Sequence, residues 1–430
     1  MKVAFYTLGC KVNQYETDLL KDKFEQAGYQ IVDFSERADV YLINTCSVTN
    51  MSDRKSRQMI NFAKKKNPNS VVCVTGCYTQ AIKDKIEEYP NIDIAIGNEQ
   101  KDEIVDILKE CLKEKRKKLI RISDINKVKK YEQKGILDKA YDVRESVKIE
   151  DGCNNFCTYC IIPYVRGRIR SRSIEDIVKE VEALVKNNVK EVVLVGIEIA
   201  SYGKDLENGQ NLIDVIEAVA KVPGLERIRL GSIEPRWITD DTVARMKKID
   251  KLCKHFHLSL QSGTTSVLKR MNRKYTAEEF YDIILKLKEA FKDDLCLTTD
   301  IIVGFPGETE EEFAETLEFV QKVGFKEVHA FKYSKRDGTV AAKMKDQIDG
   351  NVKHDRSQRL IAVSNKLTEK FNQKYIGKKV KVLVEKIEDG YMEGYTDTYI
   401  KIRKKVDENW VETGEILELE IENKDIEKKA

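Results

Sequence analysis

Apolar positions along this chain follow two alternating rhythms. Short runs rich in β-branched and aromatic residues, at 2–8, 40–44, 71–75 and 92–96, read as strands. Stretches of helical period lie between them. Leu20, Phe24 and Ala27 recur at i, i+4, i+7 with Gly28 as the stop, and a basic helix over 54–66 ends before Pro68. This β-α-β-α order predicts an open parallel sheet with helices on both faces across residues 1–130. The alternation then resumes. Residues 146–150, 191–195, 227–230, 255–260, 297–303 and 328–333 read as strands, with helices such as 174–185 and 310–323 between them. Six βα units are fewer than the eight of a closed TIM barrel, so residues 140–370 are expected to form a partial barrel, open on one side. A connecting helix over 353–375 carries Leu360, Ser364, Leu367 and Phe371 on one face. Beyond it, over 372–430, strands at 379–385 and 416–421 are punctuated by Gly390, Gly394 and Gly414, which predicts a small all-β barrel. The fold class is therefore α/β with an all-β appendage.

Composition narrows the choice. At 430 residues the chain suits two or three domains, and 41% apolar content is enough for true cores. The net charge of +3 announces no polyanion partner, although 76 Lys and Arg can be unevenly placed. No apolar run approaches the roughly 18 residues of a membrane span, so no membrane partner is expected. Residues 1–6 run straight into a strand pattern without a signal-peptide design. Ten cysteines without an export signal point to the reducing cytoplasm, where thiols serve metals or catalysis.

The cysteines then sharpen the picture. Cys153, Cys157 and Cys160 follow the spacing C-x3-C-x2-C. Three thiolates can hold three irons of a cubane cluster and leave the fourth iron open. A structural zinc site usually closes with a fourth Cys or His, which does not follow nearby, and three cysteines this close cannot all form disulfides. The spacing favours an iron–sulfur cluster. Cys10, Cys46 and Cys77 each end a predicted strand of the first domain. Ligands of open parallel sheets bind beyond the carboxyl ends of strands, so these three can converge on a second cluster. Cysteines are also common small core residues, and Cys73, inside its strand, reads as one.

Around the triad the chain reads Ile149-Glu150-Asp151-Gly152, then Cys160-Ile161-Ile162-Pro163 and on through Arg166-Gly167 to Arg170-Ser171-Arg172. This run resembles the methylthiotransferase branch of the radical S-adenosylmethionine (SAM) enzymes. The resemblance implies a [4Fe–4S] cluster at Cys153, Cys157 and Cys160 whose open iron binds SAM and cleaves it to a deoxyadenosyl radical. It implies an auxiliary [4Fe–4S] cluster at Cys10, Cys46 and Cys77, and a six-strand partial barrel. The stretch Gly9-Cys10-Lys11-Val12-Asn13-Gln14-Tyr15-Glu16 is similar to the branch acting on threonylcarbamoyladenosine in tRNA. The C-terminal module resembles the RNA-binding TRAM domain. Together these imply methylthiolation of C2 of N6-threonylcarbamoyladenosine at position 37, with the tRNA anticodon loop, an electron donor and a sulfur source as partners. Isopentenyladenosine, a ribosomal-protein aspartate, and a non-catalytic iron–sulfur RNA-binding protein are the alternatives.

Residues just past the barrel strands are the remaining candidates. For the SAM pocket they are Gly196, Glu198, Ser232, Gln261, Gly304 and Gly307, the last two in a segment resembling the family's glycine-rich turn. Glu234 stands beside Ser232 at the same strand exit. Arg166, Arg168, Arg170 and Arg172 alternate after the cysteines, either as a charged strand or with one face toward a cluster or an RNA phosphate. His255, His257 and His329 read as packing or surface residues. Cys253 and Cys296 read as structural. Lysines over 113–121 form a solvated helix end or a phosphate-contacting surface. Tyr391, Tyr395 and Tyr399 are either RNA-stacking aromatics or the core of the small domain.

Overall fold

Period-two burial builds the first domain. Val40 and Leu42 of one strand, with Val71 and Cys73 of the next, point into a core that holds Leu20 and Phe24. Tyr41, Ile43, Val72 and Val74 point the other way, onto Ile60 and Ala63. A computed structural model describes residues 1–114, 118–131, 139–407 and 411–427. Its first unit comprises β1 (Lys2–Thr7), α1 (Lys11–Gln26), β2 (Gln30–Val32), β3 (Val40–Thr45), α2 (Asn50–Lys66), β4 (Val71–Gly76), α3 (Cys77–Ala81), β5 (Ile94–Ile96), α4 (Ile104–Lys113) and β6 (Leu119–Arg121). The sheet order is β2-β1-β3-β4-β5-β6, parallel throughout. The short outer strands β2 and β6 escape a reading based on long apolar runs.

In the lysine-rich stretch, residues 115–117 lie outside the described residues. Lys118 donates to the carbonyls of Ile86 and Tyr89, at 2.8 and 3.1 Å, and Arg121 pairs with Glu110 at 3.0 Å. These two cations serve the protein's own structure.

The second unit begins with β7 (Arg144–Lys148), β8 (Glu150–Asp151), α5 (Ile162–Arg166), β9 (Arg170–Ser171), α6 (Ile174–Lys186) and β10 (Glu191–Val195). It continues through α7 (Leu212–Ala220), β11 (Arg227–Leu230), β12 (Ser232–Ile233), α8 (Asp240–Met246), β13 (His255–Leu258), α9 (Thr265–Arg270) and α10 (Ala277–Phe291). β14 (Cys296–Val303), α11 (Glu310–Val323), β15 (Glu327–Lys332) and α12 (Gly350–Gln373) complete it. Parallel pairing runs β7-β10-β11, breaks at Gly231, and resumes β12-β13-β14-β15. A parallel bridge from Ile228 to Leu252 ties the two halves, giving a six-strand arc. The helices cover its outer face through one continuous apolar core.

Helix α1 serves both units. Leu20 and Phe24 bury against its own sheet, whereas Tyr15 and Leu19 belong to the barrel core. Asn13, Glu16, Thr17, Asp18 and Asp22 are buried between the two, so the junction is polar.

The C-terminal unit is an antiparallel sheet of order β18-β17-β16-β19, formed by β16 (Lys379–Glu388), β17 (Tyr391–Thr396), β18 (Lys401–Lys405) and β19 (Ile416–Glu420). Val382, Val384, Met392 and Ile402 pack with Phe371 of α12 and Cys296 of β14. Cys253 is likewise buried, and the structural reading of both cysteines agrees with their positions.

Candidate active site

Because β1, β3 and β4 are neighbours in the sheet, their carboxyl ends bring Cys10, Cys46 and Cys77 side by side. Cys10 caps α1, and Cys77 opens α3 directly after Gly76. Gly76 holds φ +96, and a Cβ there would meet the Thr45 carbonyl oxygen at 2.3 Å. Cys46 and Cys77 are buried, while Cys10 is open to a cavity. Burial, with smaller contributions from Cys77 and Cys10, pushes the Cys46 thiol up to about 11.

The second triad sits in the loop after β8. Gly152 holds φ +83, and a Cβ would lie 2.0 Å from the Arg168 carbonyl oxygen, so the residue before Cys153 must be glycine. Cys153 N–H donates to Gly167 O at 3.0 Å, and Cys160 N–H to Cys157 O at 3.0 Å. The segment after α9 clamps the loop from outside: Thr158 N–H donates to Met271 O at 3.0 Å and Asn272 Nδ2 to Phe156 O at 3.0 Å. Arg273 Nη1 donates to Cys157 Sγ at 3.4 Å, and its other nitrogens hold Ser259 O and the Tyr275 hydroxyl, both at 3.0 Å. Burial lifts the Cys160 thiol to about 12, with Cys157 adding to it. Thiols so placed keep their protons until a metal group takes them.

Arg166 links the triads. Its Nε–H donates to Cys77 Sγ at 3.3 Å, Nη2 donates to Asn13 Oδ1 at 2.5 Å, and Nη1 lies 3.2 Å from Asp151 Oδ2. Glu16 accepts from Arg166, Lys101 and Lys148. Burial works against the Glu16 carboxylate, but these three cations outweigh it and hold its pKa well below the usual range. Cys77 adds a little to the burial that raises the Cys160 thiol.

Neither triad brings three sulfurs within 4.8 Å of one another, the spacing for a single ion; among the described residues only His257, Asp300 and His329 do. Sulfurs that adjoin without closing on one point, and that receive N–H donors from Arg166, Arg273 and the Asn155 backbone (3.4 Å), fit a multi-iron cluster better than one ion.

The other predicted positions separate. Gly196 and Ser232 line a cavity of about 1250 Å³ together with Cys10 and Lys11. Gly196 abuts Glu150, whose Oε1 would lie 2.1 Å from a Cβ. Glu198 accepts from Asn155 Nδ2 of the cysteine loop at 2.7 Å. Burial pushes its carboxyl up to about 7, helped by Glu234. Gln261, Gly304 and Gly307 stand outside the cavity wall. Gln261 holds φ +74 and extends pairing to β14. Gly304 N–H donates to Glu308 Oε2 at 2.6 Å and Gly307 N–H to Asp346 O at 2.8 Å. Between them Phe305 packs with Met271 and Tyr333, and Tyr159 of the cysteine loop lies against that cluster.

Several expectations need revision. The four arginines do not form one face. Arg166, Arg170 and Arg172 are buried, Arg172 on Glu180, and only Arg168 is exposed, over the Phe156 ring at 4.4 Å. Tyr395 and Tyr399 are neither free stacking platforms nor the core of the small domain, and Tyr391 lies under Arg403 at 4.4 Å. Tyr399 is stacked between His255 and Tyr395 with Arg229 over it at 4.6 Å, inside the cavity wall. His257 Nε2 lies 3.2 Å from Asp300 Oδ2, and its Nδ1 bonds Thr298 Oγ1 at 2.9 Å. Arg273 carries no local mark in the sequence, and the motif that ends at Glu16 gives no sign of its three cationic partners. Arg227 and Arg229 do: two arginines on one face of an otherwise apolar parallel strand break the expected pattern. They donate to the carbonyls of Lys381, Tyr395, Thr396 and Asp397, docking the small domain onto the barrel.

A six-strand parallel arc with a three-cysteine loop at its strand ends defines a radical SAM protein. The radical SAM superfamily profile matches residues 147–320, and the profile of an uncharacterized protein family, UPF0004, matches residues 2–97. The threonylcarbamoyladenosine tRNA methylthiotransferase MtaB of Bacillus subtilis is 44% identical, covering 97% of this chain and 93% of that protein. The Aquifex aeolicus protein of the same name is 39% identical over 97% and 99%. A tRNA-2-methylthio-N6-dimethylallyladenosine synthase of Clostridium tetani is 40% identical over 91% and 88%. Among solved structures, the radical SAM methyltransferase TsrM of Kitasatospora setae shares the fold, with a TM-score of 0.56 at 15% identity over 77% of this chain and 74% of that one. The chain belongs to the radical SAM methylthiotransferase family, whose members use SAM and [4Fe–4S] clusters.

Proposed function

We propose that this protein attaches a methylthio group to C2 of N6-threonylcarbamoyladenosine at position 37 of tRNA. The observation that supports the reading is Arg166, which donates to Cys77 of one triad and pairs with Asp151 beside the other. Its similarity to the MtaB proteins supplies the substrate. Cys153, Cys157 and Cys160 would hold the cluster that binds SAM, and Cys10, Cys46 and Cys77 the second. When bound, these groups supply hydrogen abstraction from C2 and a methylated sulfur.

The chain's own residues do the positioning. Arg166 and Arg273 aim N–H groups at Cys77 and Cys157, which offsets thiolate charge. Gly196, Glu198, Ser232, Gln261, Gly304 and Gly307 are the residues we assign to the SAM pocket, with Glu198 fixing Asn155 of the loop. The cavity beside Cys10 is roomy enough for a base swung out of an anticodon loop. Exposed Lys379, Lys381, Arg403 and Lys405 on the C-terminal sheet offer phosphate contacts, in keeping with an RNA-binding role for residues 372–430. The reaction calls for an electron donor and a sulfur source, in the cytoplasm where tRNA is found. Among the described residues no helix is long and apolar enough to cross a membrane.

Similarity to dimethylallyladenosine synthases supports a second reading, with an apolar N6 group. Nucleoside mass spectrometry of tRNA from cells lacking the gene and from complemented cells separates the two. Loss of the 2-methylthio form with accumulation of threonylcarbamoyladenosine is expected. Accumulation of the isopentenyl nucleoside would establish the second reading instead.

A further inference from the structure

The large cavity contains a charged group that neither triad uses. Lys11 follows Cys10, opens α1 and lines the cavity together with Gly196 and Ser232. The other cations on that wall are engaged. Arg229 Nε is held by Glu191 at 2.6 Å, Lys401 by Glu393 at 3.1 Å and by Glu427 at 2.5 Å, and Lys326 donates to the Tyr399 carbonyl. Lys11 makes no hydrogen bond or ion pair with any described residue. Its place also runs against helix stability, since the first turn favours anions and α1 has no acidic residue there. Arg144 and Arg229 act on Lys11 through space and Glu191 and Glu385 oppose them, but both carboxylates are already paired, with Arg229 at 2.6 Å and with Arg144 at 3.2 Å, and neither reaches Lys11.

The substrate proposed above supplies one. A threonylcarbamoyl group ends in a carboxylate, and an isopentenyl group has no charge. We propose that Lys11 is the specificity-determining residue that binds the carboxylate of the N6 side chain and anchors the modified adenine beside Cys10. This inference rests on threonylcarbamoyladenosine being the substrate. An ammonium–carboxylate contact also explains why a cation is kept where the helix disfavours it.

The test uses reconstituted holoenzyme and three anticodon stem-loop RNAs that differ only at the modified adenosine: threonylcarbamoyl, its neutral carboxamide, and isopentenyl. Dissociation constants and kcat/KM are measured for wild type, Lys11→Met and Lys11→Arg. Wild type is expected to bind the carboxylate RNA about 10- to 100-fold more tightly than the carboxamide, the range of a hydrogen bond to a charged group. Lys11→Met should collapse that ratio toward one, and Lys11→Arg should keep most of it. A wild-type ratio near one, or a ratio that survives in Lys11→Met, overturns the proposal. Each ratio is internal to one protein, so partial loss of clusters in a variant does not disturb it. Turnover by wild type of the isopentenyl RNA alone would refute the substrate reading, while the binding ratio would still decide Lys11.

Discussion

Arg166 points its Nε–H at Cys77 Sγ, 3.3 Å away, although the two residues lie in different units of the chain. The same guanidinium binds Asn13 and Glu16 of α1 and Asp151 beside the second triad. One fully buried cation thus fixes the spacing of the two cysteine sites and neutralises the acids between them.

Removing that cation leaves buried carboxylates short of charge. Arg166→Met is expected to lower the unfolding free energy by about 3–5 kcal/mol, the cost of breaking a buried pair by deleting one partner. Urea unfolding of the apo-protein measures it. A loss below about 1 kcal/mol would mean that Lys101 and Lys148 suffice for Glu16.

The triads should divide the chemistry. In the triple variant Cys10→Ala, Cys46→Ala, Cys77→Ala, reductive SAM cleavage is expected to survive while methylthiolated product disappears. Chromatography of 5′-deoxyadenosine and of digested tRNA reads both quantities from one incubation. Methylthiolated product from the variant would refute the assignment of the first-domain cysteines to sulfur delivery.

Arg229 holds the C-terminal sheet. It pairs with Glu191, stacks on Tyr399 and donates to Thr396 and Asp397 carbonyls. Arg229→Ala leaves Glu191 buried and several carbonyls unanswered, so a loss of about 3–5 kcal/mol is expected. Limited proteolysis should then cut between α12 and β16 faster than in wild type. Unchanged cleavage would show that the apolar contact of Phe371 and Cys296 holds the domain by itself.

Glu145 predicts a pH dependence. Burial pushes its carboxyl from 4.5 to about 7, against the downward pull of N–H groups from Tyr141 and Asp142 at 2.6 and 2.8 Å. The folded protein keeps a proton that the unfolded chain has released, so this contribution to stability is complete below about 4.5 and is lost as pH rises through 7. Glu145→Gln should therefore gain on wild type as pH rises across that window, by at most about 3 kcal/mol at 1.36 kcal/mol per pH unit. Urea midpoints of both proteins at about pH 5 and about pH 8 check the sign. Parallel behaviour of the two would show that another group dominates.

The sequence alone determined most of the elements and singled out the six cysteines that we propose as ligands. Strands such as Glu191–Val195 and Arg227–Leu230 and the helix Glu310–Val323 carry their bounds in period and flanking residues, because local backbone preference and one-sided burial act over a few residues. The six cysteines were legible for the same reason: each stands at a strand exit or in a tight, patterned loop. Only the tertiary structure decided what lies between those elements. The polar face of α1 gives no sign in period that Glu16 is buried, since its charge is tolerable only against Lys101, Lys148 and Arg166 from elsewhere. The arginines after the third loop cysteine alternate in sequence, but their directions follow from distant acids such as Glu180. Tyr399 and Arg229 meet because the small domain docks on the barrel, and no local pattern encodes a contact between segments so far apart in the chain. Burial and charge compensation are properties of the assembled molecule, and they decided which polar residues became structure and which, like Lys11, have no ion pair among the described residues.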